Sequence, residues 1–103
     1  MSYALVMTTA SSVAEAETIA QAILQERLAA CIQVLPITSY YTWEGKQQRE
    51  GEYLLLIKGR AANFARLQEC IKSHHSYSVP EIIQVPIVAG SPTYLEWITA
   101  VTD

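Results

Sequence analysis

Two histidines stand side by side in Ser73-His74-His75-Ser76-Tyr77-Ser78-Val79-Pro80-Glu81. An imidazole can hold a borderline metal, take up a proton or grip a polar ligand. Neighbouring histidines do not chelate one ion easily. They differ by about 100° on a helix and point to opposite sides of an extended chain. A shared ion would need irregular backbone and a further ligand, and the Ser76–Pro80 segment offers the irregularity. A plainer reading competes. The stripe Phe64, Leu67, Ile71 extends by three to His74, which would then cover the core at a helix end, where a cation also suits the dipole. His74 is therefore expected to be the more buried of the two, with His75 turned into a cleft.

The other reactive candidates are few. Cys31 lies in Leu28-Ala29-Ala30-Cys31-Ile32 at the start of a strand. Without a nearby histidine it reads as a small buried hydrophobe rather than a nucleophile. Tyr41 and Trp43 share one face of an extended segment by the two-residue period. They could pack against a neighbouring subunit, wall a pocket, or do both. Lys58 and Arg60 form the one basic pair with neighbouring support. No glycine-rich phosphate loop, Ser-His-Asp order or HExxH pattern occurs. No catalytic residue is assigned, and the protein is not expected to be an enzyme.

These residues must be positioned by 103 residues, enough for one domain spanning 1–103. Tyr3–Thr9 is a nearly continuous apolar strand. Ser12 and Glu15 form a capping box, opening a helix expected from Val13 to Leu28. Ala29 to Trp43 reads as a long strand interrupted at Pro36 by an edge position or a bulge. Glu44 to Gln47 is a turn, and Glu52 to Lys58 the returning strand. A helix from Ala61 to Ser73, a strand from Ile82 to Val88 and a short helix capped by Ser91-Pro92 complete the chain. The order β-α-β-β-α-β is an α+β, ferredoxin-like arrangement with an extra C-terminal helix. Both main helices fall on one sheet face, so the other, also apolar, needs a partner.

Composition agrees. Half of the residues are hydrophobic and 17% are charged, against roughly 25% in an average soluble domain. The net charge of −3, with no basic run, argues against nucleic acid. Cys31 and Cys70 have neither metal spacing nor a disulfide framework. No basic leader opens the chain, and its apolar runs fall far short of the ~20 residues that span a bilayer. A cytoplasmic protein without a membrane partner is expected.

Leu28-Ala29-Ala30-Cys31, Trp43-Glu44-Gly45-Lys46, Val79-Pro80-Glu81 and Tyr94-Leu95 with Trp97 together resemble the CutA family of divalent cation tolerance proteins, over Tyr3 to Ile98. The resemblance implies a PII-like homotrimer whose long hairpins pair between subunits. It also implies an association with copper-type cations and no established enzymatic activity. Its metal-linked positions fall on His74 and His75. Where some members carry a cysteine at the end of the first strand, this chain has Thr8, which removes the soft ligand favouring copper(I). Ser76 and Ser78 replace a proline and an acid. No cofactor is required on this reading. Copper or another divalent cation would bind weakly, and acidification below about pH 6 should abolish binding by protonating imidazole. The alternative is a PII-like sensor for a small anionic metabolite, with an intersubunit cleft built from Cys31, Tyr41, Trp43, Lys58, Arg60, His75, Tyr77 and Glu81. A purely structural trimer scaffolding a partner would need neither ligand.

Overall fold

A computed structural model describes every residue, Met1–Asp103. Four strands, β1 (Tyr3–Ala10), β2 (Cys31–Trp43), β3 (Lys46–Arg60) and β4 (Ile82–Ile87), form one antiparallel sheet in the order β2-β3-β1-β4. The helices are α1 (Val13–Gln25), α2 (Phe64–Ser73), entered through a 3-10 turn at Ala61–Asn63, and α3 (Pro92–Val101). This is the ferredoxin-like arrangement. No helix is long and apolar enough to cross a membrane.

The core lies between the sheet and the pair α1 and α2. Val6, Leu55 and Ile57 from the strands meet Ile19 and Ile23 of α1 and Leu67 and Ile71 of α2. The Ser12 side chain accepts the Glu15 N–H at 3.1 Å, as a cap should. The Glu15 carboxylate, however, reaches Ser11 N–H at 2.9 Å rather than closing the box on Ser12. The helix also stops three residues short of the expected Leu28. Arg27 turns left-handed at φ 57°. Leu28 N–H then bonds Ile23 C=O and Arg27 N–H bonds Leu24 C=O, a Schellman ending that seats Leu28 in the core.

The hairpin is longer and more regular than expected. Pro36 does not interrupt β2, and pairing runs unbroken from Cys31 opposite Lys58 to Trp43 opposite Lys46. The proline is tolerated because β2 is an edge strand with one ladder to serve. The turn shrinks to Glu44 and Gly45, both at positive φ (52° and 76°), as a two-residue hairpin loop of matching twist requires.

The second sheet face carries the alternate residues, among them Leu5, Met7, Leu54 and Leu56 by register. Helix α3 covers one corner of it. There Tyr3 hydroxyl meets Thr99 Oγ1 at 2.5 Å, and Ile98 is fully buried. Away from that corner Leu35, Ile83 and Val85 remain exposed.

Candidate functional site

His74 is the C-cap of α2, not a further turn of it. The helical phase ends at Ser73, so the stripe does not reach His74, which is exposed while His75 is half-buried. The expected order of burial is thereby reversed. His74 Nδ1 lies 2.9 Å from Cys70 C=O and so donates to it. His75 Nε2 donates to Thr9 C=O at 2.6 Å, and its Nδ1 accepts Tyr77 N–H at 3.1 Å. Both His75 nitrogens are thus engaged within the chain and its tautomer is fixed. His75 offers no free lone pair in this conformation, and no three metal-ligating side chains converge anywhere in the chain.

Glu15 ties this loop to α1. One oxygen holds Ser11 and the other accepts Ser76 N–H at 2.8 Å. Burial opposes its charged form, but the bonds from Ser76 and Ser11 and the nearby His75 outweigh that and hold its carboxyl below the usual range.

The loop so fixed walls a groove of about 610 Å³ at the hairpin end of the second sheet face. Tyr41 and Trp43 come from β2, Glu50 and Glu52 from β3, and Tyr77 and Glu81 from the loop. Tyr77 hydroxyl donates to Glu52 Oε2 at 2.7 Å, and its ring lies 4.7 Å from that of His75. Burial, then the bond to Glu52 and the carboxylates of Glu52, Glu50 and Glu15, push the Tyr77 hydroxyl far above its ordinary value. Tyr41 is raised by desolvation and then by the nearby Glu50 carboxylate. Glu52 is only 8% exposed. Tyr77 is its one hydrogen-bond partner, and the molecule's single ion pair lies elsewhere, between Arg27 and Asp103. No basic side chain lines the groove.

The remaining predicted residues lie at the opposite end of the sheet. Lys58 is six residues along β3 from Glu52, about 20 Å away. It stands opposite Cys31, a half-buried free thiol, with Nζ 5.9 Å above the Tyr94 ring. Arg60 donates to Thr102 Oγ1 and to the carbonyls of Thr99 and Thr102 at 2.6–2.8 Å. It closes the C-terminus of α3 through Nε and Nη2. Of the eight cleft residues, one chain therefore brings together Tyr41, Trp43, Tyr77 and Glu81, with His75 behind Tyr77. Cys31, Lys58 and Arg60 are apart from them. Glu50 and Glu52 were not among the sequence candidates. Their signal was the two-residue period: they extend the face of Leu54 and Leu56 and place carboxylates where an apolar stripe would continue.

Residues 4–101 match the family model described as CutA1 divalent ion tolerance protein. A divalent-cation tolerance protein CutA from Thermus thermophilus is 43% identical over 95 residues, covering 91% of this chain and 92% of that one. The structure of the periplasmic divalent cation tolerance protein CutA from Archaeoglobus fulgidus superposes with a TM-score of 0.96 at 37% identity, over 98% of this chain and 99% of that one. CutA1 from Oryza sativa gives 0.96 at 39% identity, over 100% and 95%.

Proposed function

The chain belongs to the CutA1 divalent ion tolerance family, and on that premise we propose that it is a non-catalytic homotrimer that meets divalent cations weakly and reversibly at the Tyr41–Glu52–Glu81 groove. The carrying observation is Glu52, a buried carboxylate with no cation beside it, in a groove lined by further carboxylates and no base. A buried charge left unpaired is costly, and a cation relieves it. His74 and His75 come second as ligands. His74 has only Nδ1 bonded, whereas His75 would have to release Thr9 or Tyr77 first. The trimer is supported by the exposed apolar residues of the second face and by a long edge strand ending in Tyr41 and Trp43.

An anion-sensing role draws its support from Lys58, which has no carboxylate partner and could reach the groove only from a neighbouring copy. The free thiols Cys31 and Cys70 support a reducing, cytoplasmic setting. Calorimetric titration with copper(II) and zinc(II) tests the cation reading. Weak binding that Glu52→Gln reduces severalfold and His74→Ala reduces less is expected. Uptake of neither metal, or uptake abolished by His74→Ala alone, would overturn it.

A further inference from the structure

The groove is shaped for more than a bare ion. Its volume of about 610 Å³ is roughly twenty times that of one water molecule. No three of its carboxylates converge as coordinating ligands do, so a bare ion would be held only weakly. Trp43, Tyr41 and Tyr77 supply ring surface that a hydrated metal would leave unused. Aromatic faces beside carboxylates suit an alkylammonium: its charge meets the π face and the acid, and its methylenes cover the rings.

The acids also have a spacing. Glu50 and Glu52 are two residues apart on one face of β3, so their backbone positions are about 7 Å apart. Tyr41 lies beside Glu50, and Tyr77 donates to Glu52. The Tyr77 hydroxyl holds the Glu52 carboxylate in place and leaves its remaining lone pairs as acceptors. Glu52 Oε1 has no hydrogen-bond partner, although the residue is nine-tenths buried.

We propose that this groove binds a short aliphatic diamine or polyamine, one ammonium on Glu52 beside the ring of Tyr77 and a second on Glu50 beside the ring of Tyr41. The assignment rests on the reading that the groove receives cations, and it names their class. No covalent step is involved.

The test is calorimetry on the intact assembled protein at low ionic strength. 1,4-Diaminobutane is the probe, with butylamine and 1,4-butanediol for comparison and copper(II) and zinc(II) titrated separately. Diamine binding should weaken about tenfold in Glu52→Gln and in Tyr41→Leu. Butylamine should bind more weakly and the diol not at all, while Glu17→Gln, on exposed α1 across the sheet from the groove, should bind as wild type. Should Glu52→Gln fail to fold, Glu50→Gln, on the exposed side of the groove, should still weaken the diamine more than butylamine. Absence of diamine binding to wild type, as when a neighbouring copy's lysine already occupies Glu52, overturns the proposal. So does binding indifferent to both glutamates. Metal binding without diamine binding overturns it while sparing the broader cation reading. Diamine binding without metal binding sustains it and removes the divalent-ion role.

Discussion

Removing the Tyr77 hydroxyl would strand Glu52, because no other donor reaches that buried carboxylate. Tyr77→Phe should therefore destabilise by about 1–3 kcal/mol. Glu52→Gln should be close to neutral, since an amide oxygen keeps the Tyr77 bond and leaves no buried charge. Urea midpoints of the two variants check the asymmetry, and equal losses would count against it. Thr8 presents the converse case. Its Oγ1 is buried without a partner, so Thr8→Val should hold or slightly raise the melting temperature. Glu15 adds a pH dependence. Its folded carboxyl titrates below the ordinary 4.5, so its stabilisation is complete above about pH 4.5 and is lost as pH falls through the lower folded value. The stability gap between wild type and Glu15→Gln, measured by urea unfolding from pH 7 to 3, should close at the acid end. A gap that widens there would contradict the sign. The histidine pair shows why this scale is hard to read from sequence. Whether a stripe continues to His74 depends on where α2 stops, and nothing local to Ser73 marks the stop.

At the scale of elements, the sequence spoke clearly where one residue controls a backbone angle or a cap. Ser12, Ser91-Pro92 and Gly45 mark their boundaries in the structure. Gly45 sits at φ 76°, so Gly45→Ala should cost about 1 kcal/mol. Glu44→Asn, which eases φ 52° at the other turn position, should recover a few tenths. Gly59 is set by space instead. A Cβ there would come within 3.2 Å of the Ala29 Cα and the Leu28 carbonyl, so Gly59→Ala should destabilise by about 1–3 kcal/mol. Thermal melts of the three variants test this ranking. The early end of α1 was not legible, because Arg27 is not a residue type that announces a left-handed turn; the turn is fixed by burying Leu28. The Lys46–Gly51 half of β3 was missed because it has no apolar residues to alternate, and its conformation is imposed by pairing with Thr38–Trp43 of β2.

For the molecule as a whole, strand order and the helix-covered face follow from hydrophobic pattern and handedness, so they were readable. Which candidates share a site was not, since Cys31 and Tyr41 lie on one strand and one face yet toward opposite ends of it. If neighbouring copies cover the exposed Leu35, Ile83 and Val85, the melting temperature should rise with protein concentration. Sedimentation should then give three times the 11.4 kDa chain mass. A monomer at micromolar concentration would refute the trimer. The strand order also carries a temporal consequence. β2 and β3 are joined by two residues and can zip together in about 1–10 μs. β1, at the centre, waits for β4, since Tyr3 pairs with Ile87. During synthesis the ribosome must release nearly the whole chain before the sheet's fourth strand can be laid down. Until then β1 presents a bare edge along Tyr3–Thr8, the positions β4 will occupy. The interval between the third strand and the fourth is when this protein is most open to aggregation, and pulse-labelling hydrogen exchange should find β4 amides protected last.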